Sequence, residues 1–338
     1  MLLADADSFG SSFRLAVVSA ARSIDRAIAD APFTVFDDRS SLSTFLFHGL
    51  FRDAAEIDAG DADPQQRLTV EDFRRFVEDY LQHGYRFVAV ADVLAGLPRG
   101  GKYALVTFDD GYFNNVRALP VLREYGLPAA VFVSTDHVRL GKCFWWDVLY
   151  REGRARGKGA ADIARETKAL KRLRTEAIEA ELARRFGRSA FTPRGDADRP
   201  LTPSELRDLA AEPLITIGNH TRNHAILTRY PPGEVRRQLS GAQDALREMT
   251  GRTPACVAYP NGDHNAVVLE ACRALGLRLG LTAEPAKNRL PIGACGDNCL
   301  RLGRFTPSGG DDLPRQCRVF RSDLRVYDAL LSVSRCLA

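Results

Sequence analysis

Two aspartates stand side by side in ALVTFDDGYFNN, residues 104–115, directly after an apolar run. Residues 104–108 read as a strand covered on both faces, whereas Asp109 and Asp110 are poor strand formers whose like charges repel. Gly111 then ends the run. Two readings fit: an Asx-type turn capping the next segment, or carboxylates gathered around something positive, such as a metal ion. Far along the chain, LITIGNHTRNH runs off a second candidate strand into His220 and His224. Four residues apart, they share one face of a helical turn, and neutral imidazoles paired this way are common metal ligands. A lone HxxxH more often marks surface or packing histidines. Here both follow a strand end, where barrel enzymes place their sites, and they are two of only six histidines. Two nitrogens and a carboxylate of the DD pair can then converge on one divalent ion and leave positions open for water. A third strand end, VAYPNGDHN (257–265), is either a plain turn or the source of a backbone N–H for a developing oxyanion.

The elements that must position these residues alternate. Strands are expected at 43–48, 85–90, 103–108, 129–134, 214–219, 255–259 and 277–282, with a last short run, CLRLGRF, at 299–305. Helices are expected at about 69–83, 114–125, 233–249, 265–275 and 319–334. The first has Thr69 and Asp72 as a capping box and Gly84 as its stop. Such alternation argues for an α/β fold with a parallel sheet, closed or nearly closed into a barrel at this length. The doubly wound open sheet is the competitor, but its glycine-rich phosphate loop is absent. Residues 136–200 interrupt the pattern with FWWDVLY (144–150) and a charged helical stretch carrying Leu170, Leu173, Ile178, Leu182 and Phe186, stopped by Gly187. It is too small for an independent domain and is expected as a helical insertion over one end of the barrel. The pattern restarts at Thr202, Pro203 and Glu205, a second capping box. The expected division is an N-terminal helical extension (1–40), the barrel with its insertion (41–310) and a C-terminal helix (311–338).

Composition narrows the function classes. With 338 residues and 45% hydrophobic content, the chain builds a large core. The net charge of +4 is spread along the sequence, which gives no reason to expect nucleic acid as partner. Seven cysteines lack disulfide-scaffold spacing, and Cys295 with Cys299 has no second pair to make a zinc knuckle, so free thiols in a reducing compartment are expected. The first residues show no basic, uninterrupted apolar leader; Phe13, Val17, Ala20 and Ile24 instead suggest an amphipathic helix. No segment reaches the ~20 apolar residues of a membrane span. A cytoplasmic location is expected.

TFDDG, HTRNH and AYPNG, in this order after strands, resemble the NodB-homology polysaccharide deacetylases, carbohydrate esterase family 4. The resemblance covers roughly residues 43–305, and FHGL, LTVEDFRRFVEDYLQHGYRFVAVADVL, FWWD and LTPSELRDLA look like its exopolysaccharide-deacetylase branch. It implies a distorted (β/α)7 barrel in which Asp109 is the general base and Asp110, His220 and His224 hold the metal. Zinc is the first expectation for that ion, with cobalt, nickel or manganese as substitutes. Adjacent strand-end residues diverge, so one carboxylate can bind metal while its neighbour stays free beside the water. Two departures stand out. Where many members carry an RPPYG-like motif, this chain has Ala258, Tyr259, Pro260, Asn261 and Gly262. Aligned so, Tyr259 and Asn261 line the substrate, Asn261 supplies the oxyanion N–H, and Arg301 becomes the partner of Asp109. The Leu-x-His motif that supplies the general acid elsewhere is missing. His48, after an apolar strand, ranks first as acid and His264 second; His137 at the start of the insertion reads as facing solvent, and Asp109 returning its own proton needs no histidine.

The function implied is metal-dependent removal of an N-acetyl group from an amino sugar, oligosaccharide or glycan intermediate, releasing acetate and a free amine. Trp145 and Trp146 either stack on a sugar or anchor the insertion, and Asp147 lies beside them, placed to reach the site. Two rivals stand: a 2-His-1-carboxylate iron oxygenase, which leaves one aspartate unused, and a sugar-binding protein on an inactivated scaffold, which the intact ligand set opposes.

Overall fold

Eight strands form one sheet in the computed structural model, which describes residues 20, 21, 23–25, 27, 40–292 and 297–322. They are β1 (Ser41–Phe47), β2 (Arg86–Phe87), β3 (Lys102–Phe108), β4 (Ala129–Val133), β5 (Ile215–Asn219), β6 (Cys256–Ala258), β7 (Leu279–Leu281) and β8 (Asn288–Arg289). The order is β7-β6-β5-β4-β3-β1-β8, with β2 paired to β3. Every pairing is parallel except that of β8 with β1. The sheet curls as a distorted (β/α)7 barrel of the NodB type does. Residues 302–305 link β7 at one end to β1 near the other, because Leu302 bridges Leu281 on β7 while Phe305 bridges Phe45 on β1.

Alternation along the strands sorts the side chains into two shells. Tyr103, Leu105, Ala130, Phe132, Cys256, Ala258, Leu279, Leu281 and Leu302 share one cluster inside the curl. Ala104, Val106, Phe108, Val131, Val133, Ile217 and Phe305 lie on the other face, under the helices. Helix Val70–Gln82 shows how the outer shell is built. Its capping box is present as expected, with Thr69 accepting from the Asp72 N–H and Asp72 accepting from the Thr69 N–H. Phe73, Phe76, Val77 and Tyr80, spaced at three and four residues, are fully buried against the sheet, each burial contributing about 1.5–3 kcal/mol. Gly84 follows at φ +76°, the left-handed position only glycine fills cheaply.

Several expectations are corrected by tertiary context. The strand expected at 85–90 shrinks to β2, because Asp92 caps the Ala89 N–H (2.8 Å) and starts helix Val90–Ala95. The helix expected at 114–125 divides into a 3-10 segment, Phe113–Ala118, and helix Leu119–Tyr125, since Pro120 cannot extend the earlier ladder. CLRLGRF forms a 3-10 turn, Asp297–Arg301, and two single bridges in place of a strand. Helix Leu313–Arg321 begins before the expected 319, and the remainder to 334 lies outside the described residues, as does most of the 1–40 extension.

The insertion is a small helical body with its own apolar cluster. Helices Trp145–Ala155, Ala160–Leu170 and Thr175–Phe186 pack Phe144, Trp145, Leu149, Ile163, Ile178 and Leu182 together. The single charged helix expected there is two, broken around Leu173, which is 45% exposed. A buried ion pair of Arg151 with Asp198 ties its first helix to its last loop. Cys143, Cys256, Cys272 and Cys317 are free and buried, and Cys299 is buried; Cys295 lies outside the described residues. Among the described residues no helix is long and apolar enough to cross a membrane.

Candidate metal centre and active site

The end of β3 separates the two aspartates. Asp109 keeps the last ladder bond, its N–H donating to Phe47 O at 2.8 Å, and so stays on the inner face with Leu105 and Thr107. Asp110 (φ 76°) and Gly111 (φ 83°) both turn left-handed, which aims Asp110 away from its neighbour. An aspartate tolerates that conformation better than most residues. A Cβ on Gly111 would come within 3.0 Å of Val133, so DDG is a local requirement as well as a chemical one.

The histidines leave β5 in an irregular turn, and the helical turn expected from HxxxH does not form. Thr221 (φ 63°) and His224 (φ 54°) are left-handed, a strain on the order of 1 kcal/mol each that surrounding bonds must hold. Asn219 Oδ1 accepts from the Thr221 N–H (2.8 Å), and Thr221 Oγ1 accepts from the Ala225 N–H (2.9 Å). Thr175 of the insertion donates to His224 O at 3.2 Å. The result still brings both rings together, with centroids 4.9 Å apart. Each Nε2 lies 3.4 Å from Asp110 Oδ1, and one ligand atom from each of Asp110, His220 and His224 falls within 4.8 Å of the others.

This donor set fits a metal ion. A carbonyl only accepts, so His220 Nδ1, 2.8 Å from Ala258 O, carries the proton and Nε2 offers its lone pair. Metal-ligating histidines are oriented this way. Both Asp110 oxygens are buried without a hydrogen-bond partner among the described residues. A carboxylate so placed is costly unless a cation satisfies it. Burial, then the neighbouring His220 and Lys171 charges, push His224 well below the usual histidine range and keep it neutral. For His220 burial acts in the same direction, but Asp109 and Asp110 outweigh it and raise the imidazole. His224 retains 12% side-chain exposure, so the cluster has an open side.

Asp109 is gripped by Arg304, with Nη1 donating to Oδ1 and Nη2 to Oδ2, both at 2.8 Å. Burial alone raises the Asp109 carboxyl, but the guanidinium, helped by His220 and His48, holds it below the usual carboxylate range. Arg301 does not make this contact: it ends the 3-10 turn and is exposed. Strand parity explains the difference. Leu302 belongs to the inner shell, so Arg304 two residues on faces inward with it, while Arg301 faces away. Arg304 is further fixed by Nε donating to Thr282 O (2.7 Å) and Nη1 to Thr107 Oγ1 (3.1 Å).

The other expected site residues divide. His48 is half-buried within electrostatic range of Asp109, and its Nδ1 donates to Gln66 Oε1 at 2.8 Å. The Gln66 amide is oriented by its own donations to Leu46 O and Pro307 O, both 2.8 Å, which leaves His48 Nε2 free of this contact. His137 does not face solvent. It is buried against Phe144, ring centroids 4.0 Å apart, and burial with the Lys142 charge lowers it to about 3. His264 stacks on Tyr259. Tyr259 is itself fully buried, its hydroxyl donating to Leu300 O at 2.9 Å, and so presents no face to a substrate. Asn261 is exposed on the 3-10 turn Pro260–Gly262 and accepts from Lys171 Nζ at 3.1 Å.

Trp146 is 6% exposed, with one face stacked on Phe144 at 4.7 Å and its ring 4.6 Å from His224. That geometry favours the anchoring alternative over sugar stacking. Its Nε1 donates to Tyr112 O–H (2.8 Å), which donates to Asp147 Oδ2 (2.7 Å). Asp147 is therefore engaged within the buried base of the insertion, where burial drives its carboxyl well above the usual range. Tyr112, Gln66, Lys171 and Arg304 are added by the structure; of these, Tyr112 stands next to DDG and Arg304 in the CLRLGRF run, whereas Gln66 and Lys171 carry no sequence signal.

Comparison with known proteins agrees with this arrangement. Several solved structures share the fold. The Streptococcus pyogenes deacetylase PplD, in complex with acetate, is 17% identical over 82% of this chain and 96% of its own, with a TM-score of 0.56. IcaB from Ammonifex degensii is 18% identical over 84% of this chain and 98% of its own, TM-score 0.54. The BpsB deacetylase domain from Bordetella bronchiseptica is 19% identical over 81% of this chain and 97% of its own, TM-score 0.52. No curated protein matched the chain. Residues 96–280, more than half the sequence and spanning both the aspartates and the histidines, match the family model for polysaccharide deacetylase, and the chain belongs to that family.

Proposed function

We propose that this chain is a metal-dependent carbohydrate N-deacetylase, hydrolysing the acetamide of an N-acetylated sugar, oligosaccharide or glycan intermediate to acetate and a free amine. The observation that carries the reading is the buried, unsatisfied Asp110 carboxylate facing His220 Nε2 and His224 Nε2, with Asp109 held ionised beside them by Arg304. Asp110, His220 and His224 would hold one divalent ion, for which zinc suits the donor set best. When bound, such an ion supplies Lewis acidity toward the amide carbonyl and makes a water easier to deprotonate.

The chain's own residues supply the rest. Asp109 accepts the proton of the attacking water, and Arg304 keeps it oriented and deprotonated for that task. The backbone N–H of Asn261 donates to the developing oxyanion. The amine leaves only when protonated, and in this reading His48 Nε2 gives that proton, its ring fixed by Gln66. Arg304 cannot serve, because a guanidinium keeps its proton near neutrality. An iron oxygenase would leave the Asp109–Arg304 pair without a task. The test is acetate release from an N-acetylglucosamine oligomer, with and without chelator. Acetate formed only in the unchelated sample supports the reading; no acetate, or release indifferent to the chelator, rejects it.

A further inference from the structure

A cleft of about 730 Å³ opens between insertion helix Ala160–Leu170 and the loops carrying Asp63, Arg229 and Asn261. Two of its lining residues connect indirectly toward the candidate metal cluster. Asn261 lies three residues beyond Ala258, the end of β6, whose carbonyl orients His220. Asp63 donates its N–H to Asp147 Oδ1 at 2.8 Å, within the buried base of the insertion. The charge on the walls is one-sided. Lys168, Lys171, Arg172 and Arg229 line the cleft against a single carboxylate, Asp63. Among the described residues the side chains of Lys168, Arg172 and Arg229 make no ion pair, and Lys171 has only the amide oxygen of Asn261. Arg67, at the edge, is already engaged with Asp58 at 3.4 Å.

Four cations with one carboxylate between them suit a ligand carrying at least two negative charges and several acceptor oxygens. The volume falls in the range of small-molecule sites. We infer that this cleft is a subsite for a phosphate or diphosphate ester attached to the N-acylated sugar, its oxygens on Lys168, Lys171, Arg172 and Arg229 while the acetamide lies at the metal cluster. The second half of that statement rests on the deacetylase reading; the anion site does not. Lys171 supports the placement: burial lowers it, while Asp110, Asp63 and Asp263 pull it back, so it lies within electrostatic range of both the ligands and the cleft. A bound phosphate would supply the partner that burial denies it.

The test has a binding arm and a turnover arm, both on the full metal-loaded chain and on a K168A/R229A variant, which leaves the ligands intact. In the binding arm, inorganic pyrophosphate is titrated by calorimetry. Pyrophosphate caught by the metal alone would bind both proteins equally and overturn the subsite; binding weakened roughly 10-fold or more in the variant supports it. In the turnover arm, kcat/KM is compared for an N-acetylglucosamine oligomer, a nucleoside-diphosphate N-acetylglucosamine and a short prenyl-diphosphate N-acetylglucosamine. The expected result is a preference for one or both diphosphates that shrinks in the variant and with added salt; whichever is preferred identifies the source. Equal kcat/KM for charged and neutral substrates overturns the subsite while leaving the deacetylase intact. Variant-sensitive pyrophosphate binding without acetate release from any substrate does the reverse.

Discussion

Arg304 holds Asp109 through two parallel hydrogen bonds of 2.8 Å each, across 195 residues of sequence, with both side chains buried. Removing the guanidinium with Arg304→Met leaves a buried carboxylate unpaired. Its pKa then rises, and a base that must be ionised loses activity on the acid side first. The acid limb of the pH–rate profile should therefore move to higher pH. Stability should fall by about 3–5 kcal/mol, the usual cost of breaking a buried pair. Because the folded pKa of Asp109 is depressed, the pair's contribution is present above the unfolded value near 3.8 and is lost as pH falls through the folded one. An unshifted limb would remove Asp109 from the role of base.

Chelation and ligand loss should act alike. Elemental analysis should find one divalent ion per chain, absent in His220→Ala and reduced in Asp110→Asn, with acetate release lost in step. A metal present at about 1,000 times its Kd stabilises by about 4 kcal/mol, so a chelator should lower the Tm of the unaltered chain and leave that of His220→Ala unmoved.

Asp109→Asn should keep its metal and lose roughly 10²–10⁴-fold in kcat, the effect of a missing general base. Equal metal loss in Asp109→Asn and Asp110→Asn would merge the two roles that the turn at Asp110 separates.

For the proton donor, His48→Ala should lose the alkaline limb of the pH–rate profile at unchanged metal content. Gln66→Leu should weaken the same limb, since Gln66 orients the ring. His264→Ala, whose ring stacks on Tyr259, should leave that limb unchanged. If all three profiles match the parent, the proton returns through Asp109.

Trp146→Ala should lower Tm by an amount equivalent to about 3–5 kcal/mol and depress turnover of short and long oligosaccharides equally, because the ring packs against Phe144 and His224. A KM increase confined to long oligosaccharides would instead make it a sugar platform.

Much of this molecule is legible in short stretches of its sequence. The strand-then-DDG pattern, the two capping boxes at Thr69 and Thr202, and the stops at Gly84 and Gly126 depend on neighbours within a few residues, and the structure keeps all of them. The two ligand motifs are legible in the same way, each directly after a strand, and the parallel sheet brings them together because β3 and β5 flank β4. What tertiary structure alone decided lies across the fold. Arg301 and Arg304 sit in one seven-residue run, and only the register of Leu302 on β7 and Phe305 on β1 turns Arg304 inward to Asp109. Tyr259, Trp146 and Asp147 carry chemistry that suits a substrate, yet each is buried by a partner distant in sequence: Leu300 O, Tyr112 O–H and the Asp63 N–H. The left-handed turn at His224 is likewise held from outside, by Thr175 on the insertion. Local signals report on backbone propensity over a few residues, whereas register and burial are set by packing between segments 34 to 195 residues apart, and that packing determines which polar side chains reach the site.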